Sequence, residues 1–69
     1  MAISREELSR YVGQINEECD LTLTLDFHRK TVRLEYWTYS QGRTIPFGMG
    51  YFSLDGMANY LTAFHKGML

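Results

Sequence analysis

Residues 21–37, LTLTLDFHRKTVRLEYW, decide the fold, because apolar and polar side chains alternate along them with a period of two. The apolar set lies at alternate positions on either side of a central break: Leu21, Leu23, Leu25, Phe27, Val32, Leu34 and Tyr36. Strict alternation is typical of a strand that buries one face. The break at Arg29-Lys30 marks a turn, so the stretch predicts two antiparallel strands that share an apolar face.

The register of the sheet follows from its turns. Two-residue turns at Arg29-Lys30 and Gln41-Gly42 place the same strand-two side chains inward in both hairpins. The predicted pairs are Phe27 with Val32, Leu25 with Leu34, Leu23 with Tyr36, Tyr36 with Phe47, Leu34 with Met49, and Val32 with Tyr51. Arg29-Lys30 is not a favoured pair for such a turn, which leaves a longer first loop open. We expect a three-stranded antiparallel meander over about 21–28, 31–39 and 43–52, with Pro46 on an edge strand.

Helices are predicted on both sides of the sheet sequence. Ser4 and Glu7 have the spacing of a capping box, and Ser53 or Asp55 can cap the second helix. An apolar stripe at helical spacing follows each cap: Leu8, Tyr11, Val12, Ile15 and Cys19, then Leu54, Met57, Leu61, Phe64 and Met68. Only one face of the sheet is apolar, so both helices should pack on that face. The prediction is a single α+β domain over residues 1–69 in the order α-β-β-β-α.

Composition excludes several classes of protein. The 69 residues are 45% hydrophobic and 22% charged, close to the average of soluble globular domains and unlike disordered chains. Seven basic against eight acidic residues give a formal charge of −1, so no strong field draws the chain to nucleic acid or to a membrane. No apolar run approaches the length of a membrane span, and the first residues lack the apolar core of a secretory signal.

The lone cysteine and the short chain bear on the compartment and on association. Cys19 is the single cysteine, so no internal disulfide can form. One free thiol fits a reducing compartment, and we expect the cytoplasm. A chain of this size has a small core, which leaves either a well-packed monomer or an oligomer. We expect association, most simply as a dimer.

No motif for an enzyme, a cofactor or a metal is present. The sequence contains no Walker loop, dinucleotide fingerprint, HExxH or nucleophile elbow, and its Cys and His residues lack zinc-ligand spacing. Cys19 with His28 or His65 is the one conceivable combination of nucleophile and base, but Cys19 ends an apolar stripe, which favours a packing role. We therefore predict a non-enzymatic protein without catalytic, cofactor-binding or metal-binding residues.

The polar face of the sheet carries the candidate site. Most of its side chains suit a solvated sheet, and Asp26 opposite Arg33 predicts a cross-strand ion pair. Trp37 and Tyr39 are unusual on a solvated sheet, since large aromatic side chains on an open face are typical anchors for a protein partner. The predicted partner-binding residues all lie on this face: Trp37, Tyr39, Arg33, Thr22, Pro46 and Glu35. In the alternative interpretation Trp37 lies across from Pro46 and covers thin edge backbone for stability alone.

The order of elements and the chain length resemble those of the double-stranded RNA-binding domain. That family binds RNA through its first helix, its first hairpin loop and a lysine-rich start to its second helix. Here the second helix begins Ser53-Leu54-Asp55-Gly56-Met57, without lysine, and Arg29-Lys30 is the only basic pair in the hairpin loop. The resemblance therefore implies a topology and not RNA binding. In size and charge the chain is also similar to small phage-encoded regulators and inhibitors.

These observations favour a small protein-interaction module, such as an inhibitor, an adaptor or a regulatory subunit. It would bind a partner protein or its own copy through the open sheet face. The alternative is a nucleic-acid-binding module that combines exposed aromatic rings with the basic residues of the sheet region: Arg29, Lys30, Arg33 and Arg43. A third hypothesis is a thiol enzyme that uses Cys19.

Overall fold

The computed structural model describes residues 3–47 and 50–68 and has the predicted α+β architecture. Its elements are α1 (Arg5–Cys19), β1 (Leu23–His28), β2 (Thr31–Thr38), β3 (Arg43–Pro46), β4 (Phe52–Ser53) and α2 (Leu54–Met68). β2 is central in an antiparallel sheet: β1 pairs with one of its edges, and β3 and β4 pair with the other. The predicted third strand is therefore present as two short pieces, β3 and β4.

The first hairpin has the predicted register. Its pairs include Phe27 with Val32, Leu25 with Leu34, and Leu23 with Tyr36. His28 pairs with Thr31, so Arg29 and Lys30 form a two-residue turn and not a longer loop. Arg29 has φ 57°, and a left-handed residue of this kind is what such a tight turn requires.

The second hairpin differs from the prediction by two residues. Tyr36 pairs with Ile45 rather than with Phe47, because the turn spans four residues instead of two. The Gly42 N–H donates to Thr38 O at 2.9 Å, and Gly42 has φ 65°, which glycine adopts without strain. A shift of two residues leaves every β3 side chain on its predicted face, since the period of a strand is two.

Leu34 also has a different neighbour from the predicted one. Its predicted partner, Met49, lies outside the described residues, as does Gly48. Leu34 O instead accepts a hydrogen bond from Phe47 N at 3.1 Å. Phe47 therefore continues the shifted register of β3 on the inner face.

Beyond Pro46 the chain pairs with β2 in a register that differs from that of β3 by an odd number of residues, so inward and outward positions are exchanged. Val32 pairs with Phe52 rather than with Tyr51, so Phe52 turns toward the core and Tyr51 toward the open face. Gly50 has φ 74°, outside the range of extended backbone, which explains why the chain cannot continue here as one regular strand. The prediction that Tyr51 faces inward is therefore wrong.

The core lies between the inner face of the sheet and both helices, as predicted. The buried apolar side chains of the described residues are Leu8, Val12, Ile15, Leu23, Val32, Leu34, Met57 and Leu61. Each helix begins at a predicted cap. Ser4 Oγ accepts from Glu7 N at 3.1 Å, Glu7 Oε1 accepts from Ser4 N at 3.2 Å, and Ser53 Oγ accepts from Gly56 N at 3.0 Å. These caps fix where each helix starts and thus which stripe meets the sheet.

Both edges of the sheet carry features that limit pairing with another strand. On β1, the Asn16 side chain accepts from Leu23 N and donates to Leu23 O, both at 2.9 Å, in place of a neighbouring strand. On β3, the register directs the main chain of Thr44 and Pro46 outward, where proline has no N–H to offer. These features limit main-chain pairing with a further strand at Leu23 and at Pro46.

Candidate functional site

Trp37 is held in place by Thr22, the residue directly before β1. The Trp37 N–H donates to Thr22 O at 2.9 Å, and Thr22 Oγ1 donates to Trp37 O at 2.9 Å. The first bond continues the β1–β2 ladder, and the hydroxyl supplies the donor for the second. The indole therefore projects from a backbone that is fixed by two hydrogen bonds.

The rings of Trp37 and Tyr39 pack edge to face on the open side of the sheet, and we call them the aromatic pair. Their centroids are 6.3 Å apart and their planes meet at 87°, a favourable arrangement for two aromatic rings. Trp37 is 38% exposed and Tyr39 is 82% exposed. The pair thus presents apolar surface to solvent while each ring limits the orientations of the other.

Pro46 does not lie across from Trp37, and that prediction is wrong. The two-residue shift in the second hairpin places Thr44 opposite Trp37 and Glu35 opposite Pro46. Thr44 is exposed, so it is not sheltered by the indole. In the interpretation in which Trp37 serves stability alone, Pro46 is therefore a diagonal neighbour of the indole and not the residue directly opposite it.

Arg33 and Glu35 belong to an internal charge cluster with Asp26 and Tyr51. Arg33 Nη2 lies 3.3 Å from Asp26 Oδ2, which confirms the predicted ion pair, and 3.2 Å from Glu35 Oε2. The guanidinium lies over the Tyr51 ring, 5.1 Å from its centroid, and Tyr51 Oη donates to Asp26 Oδ2 at 2.9 Å. Because two carboxylates share one cation, Arg33 offers no free positive charge to a partner, and the cluster keeps one net negative charge.

Tyr51 lies on the open face next to the charge cluster and contacts both Asp26 and Arg33. Its hydrogen bond to the Asp26 carboxylate raises the pKa of the Tyr51 phenol above the ordinary value, and desolvation acts in the same direction. The hydroxyl therefore stays protonated and donating at neutral pH. The His28 ring packs on the same tyrosine at a centroid distance of 5.8 Å. The charged groups of the cluster thus contact one another, whereas the rings of the aromatic pair at the other end of β2 are exposed.

An apolar cleft of about 650 Å³ opens beside the aromatic pair. The side chains that make it apolar come from the α1–β1 connection, the start of β1, the end of β2, the residue after β3 and the last turns of α2: Leu21, Leu23, Tyr36, Phe47 and Phe64. Its volume lies within the range of small-ligand pockets. Tyr36 is 36% exposed here, so the helices leave this end of the inner face partly uncovered.

The structure divides the six predicted site residues into two groups. The first group lines the cleft or forms the aromatic pair: Thr22, Trp37, Tyr39 and Pro46. The second group lies in the charge cluster: Arg33 and Glu35. Sequence reasoning missed Tyr36 and Phe47 because their parity assigned them to the core. The residue type at Tyr36 could have indicated this exposure, since the hydroxyl of a tyrosine suits a half-buried position better than a fully buried one.

Cys19, His28 and His65 make different contacts in the structure. Within the described part of the chain no hydrogen bond joins Cys19 to either histidine, and Cys19 is half-buried against the core. His65 links the two helices instead, with Nδ1 3.4 Å from Tyr11 Oη and Nε2 2.8 Å from Glu18 Oε2. Across residues 3–47 and 50–68, no three His, Cys, Asp or Glu side chains are grouped to hold a metal ion.

Comparison with protein-family models, with curated proteins and with solved structures finds no match to this chain. Neither of the helices described above combines the length and the apolar character that a membrane span requires. Function therefore has to be inferred from the side chains of the open face and the cleft.

Proposed function

We propose that this chain is a small non-enzymatic interaction module that docks a partner protein, or a second copy of itself, on its open sheet face. Trp37 and Tyr39 are the anchors, and Thr22 positions the first of them. Such a module acts as an inhibitor, an adaptor or a regulatory subunit. The lone thiol of Cys19 fits the reducing conditions of the cytoplasm, where we place the protein.

The contrast between the two ends of the open face carries this proposal. At one end, Asp26 and Glu35 hold the Arg33 guanidinium at 3.3 and 3.2 Å, so the single cation of the charge cluster is engaged within the chain. At the other, two large rings are exposed side by side. Exposed apolar surface costs the isolated chain about 25 cal/mol per Å², and a partner that covers it recovers this free energy. Tryptophan and tyrosine are also the side chains enriched at the centres of protein interfaces.

The rigidity of the anchors supports the same conclusion. Trp37 is fixed through Thr22 on one side of β2. Tyr39 begins a turn that is braced by Gly42 N donating to Thr38 O at 2.9 Å. An anchor that is already ordered loses less conformational entropy on binding than a flexible one. This end of the sheet therefore suits recognition of a folded partner.

Nucleic-acid binding is the second candidate, and the charge distribution supports it less well. A single-stranded nucleic acid needs cations beside the aromatic rings. Arg33, which is central on this face, is shared by Asp26 and Glu35. Since phosphate neutralisation dominates nucleic-acid affinity, a protein partner fits the exposed rings better.

The test combines affinity capture with a measurement of mass. The wild-type chain and the Trp37→Ala variant are immobilised at equal density and incubated with an extract of the cells that encode the chain, and bound proteins are quantified by mass spectrometry. Light scattering over a range of concentrations tests association with a second copy. We expect the wild-type chain to capture a partner or to form a dimer. The Trp37→Ala variant should reduce the amount of captured partner, or the fraction of dimer, by about tenfold or more.

Tyr51→Ala is the matched control, because Tyr51 lies on the same face and is 44% exposed against 38% for Trp37. This control variant should retain the partner or the dimer. The proposal would be contradicted if the wild type, Trp37→Ala and Tyr51→Ala captured equal amounts of every bound protein and had the same mass by light scattering. Tight binding of an oligonucleotide that weakens steeply with salt would favour the alternative function.

A further inference from the structure

The cleft beside the aromatic pair combines an apolar floor with an acidic rim. Its floor is aromatic: Tyr36 and Phe47 meet edge to face at 5.2 Å between centroids, and Phe47 and Phe64 do so at 6.1 Å. Of the described residues that line it, Asp20 is the one that carries a charge. Asp20 is exposed at the mouth of the cleft. The cleft is therefore suited to an apolar group that has a cation next to it.

Asp20 occupies a position that suits an acidic residue poorly. It ends α1 with φ 55° and ψ 51°, a left-handed conformation in which glycine or asparagine is favoured. A carboxylate there also lies at the negative end of the helix dipole. Both effects make Asp20 less favourable for the stability of the fold than glycine at this position.

The last turn of α1 strengthens the negative potential at the rim. Glu17 is exposed, and no basic residue is present in this turn. Glu18 is paired with His65 at 2.8 Å between Oε2 and Nε2. Glu17 and Asp20 therefore act together with the terminal carbonyl groups of the helix, and all of them attract a cation.

We propose that the cleft takes an apolar side chain of the protein partner, with an adjacent lysine or arginine of that partner placed at Asp20. This inference rests on the proposed function, because the same partner would cover the aromatic pair. Tyr39 joins the two surfaces, since its ring packs on Trp37 and also lines the cleft. The partner is thus specified as a protein segment in which a hydrophobic residue lies beside a basic one.

The test uses capped dipeptides that share phenylalanine and differ in the charge of the second residue. Phenylalanine followed by lysine, by glutamine or by glutamate is titrated into the isotopically labelled chain, and the amide chemical shifts are followed. The lysine dipeptide should shift the amides around residues 20–23, 36, 39 and 47. It should bind about fivefold more tightly than the glutamate dipeptide, the effect of one exposed ion pair.

Asp20→Asn separates binding from folding. This variant keeps the shape of the side chain and should lose most of the preference for the lysine dipeptide, with Glu17 and the helix terminus supplying the remainder, while its melting temperature stays the same or rises. Glu6→Gln is the matched control, because Glu6 is an exposed acid at the opposite end of α1. That variant should retain the preference for the lysine dipeptide.

Two results would overturn the inference. One is equal affinity of the wild-type chain for the lysine and glutamate dipeptides, or shifts that map outside the cleft. The other is a shift of the cleft amides with protein concentration alone, which would show that a second copy is the occupant. Neither result depends on Trp37, so the docking function tested with Trp37→Ala can survive or fail independently.

Discussion

Thr22 and Trp37 are joined by two hydrogen bonds of 2.9 Å, one between main-chain groups and one from the threonine hydroxyl to the tryptophan carbonyl. The second bond fixes the backbone of the proposed anchor at the very end of the β1–β2 ladder, where a strand would otherwise fray. Thr22, which lies just before β1, thereby positions the backbone that carries Trp37.

Thr22→Val should loosen this arrangement while keeping the shape of the side chain. The variant loses the hydroxyl donor to Trp37 O, and we expect a loss of about 1 kcal/mol in the free energy of unfolding. Urea denaturation followed by the fluorescence of Trp37, the single tryptophan, measures it directly. Thr24→Val, an exposed β1 position, serves as the control and should cost little or nothing. Equal stability of the two variants would show that the hydroxyl bond is unimportant.

Asn16→Ala should destabilise β1 and expose its edge. The Asn16 amide occupies both main-chain groups of Leu23, so its removal should cost about 1–2 kcal/mol. Uncovering a strand edge should also increase self-association. Denaturation and light scattering of the variant measure these two effects. Gln14→Ala, at an exposed position of α1, should show neither, and a similar result for both would argue against a protective role of Asn16.

The stability of the chain should depend on Tyr51 at alkaline pH. Because the hydrogen bond to Asp26 raises the pKa of Tyr51 in the folded state, folding holds this proton more tightly than the unfolded chain does. The resulting stabilisation is complete below the ordinary tyrosine pKa of about 10 and is lost as the pH rises through the higher folded-state value. Denaturation at several values between about pH 8 and pH 11 should show a steeper decline for the wild type than for Tyr51→Phe. Parallel declines would contradict this.

Asp20→Gly should stabilise the fold by about 1 kcal/mol, because glycine relieves the left-handed backbone and removes a carboxylate from the negative end of α1. Asp20→Ala separates these two causes. Alanine removes the charge but keeps the backbone strain, so it should gain less than glycine. Thermal denaturation of the three proteins gives the comparison. A glycine variant that is less stable than the wild type would show that Asp20 does not destabilise the end of α1.

The first hairpin could be predicted from the sequence because its alternation is strict on both sides of a short turn. A slip of one residue would place Leu25 and Leu34 on opposite faces, and a slip of two would remove the pairing of Phe27 with Val32 beside the turn. The second hairpin lacks this constraint. A slip of two residues leaves every face unchanged, and Tyr36 therefore fits equally well opposite Ile45 or Phe47. Alternation alone cannot measure the length of the turn.

The candidate site was predictable in part for the same reason. Trp37 and Tyr39 share the parity of the open face, so their exposure follows from the strand period. The left-handed backbone at Gly50 turns Tyr51 outward, and no alternation pattern shows this. The cleft depends on how far the two helices extend over the inner face. Tyr36 has core parity and is still 36% exposed, because tertiary packing and not periodicity decides its environment.

The most direct test of the docking surface is the affinity of Trp37→Ala and Tyr51→Ala for the captured partner, or for a second copy, measured side by side. If the aromatic pair is the anchor, Trp37→Ala should weaken binding by about 30-fold while Tyr51→Ala stays within about threefold of the wild type. Equal affinities for all three proteins, or a larger loss for Tyr51→Ala, would contradict a surface centred on Trp37.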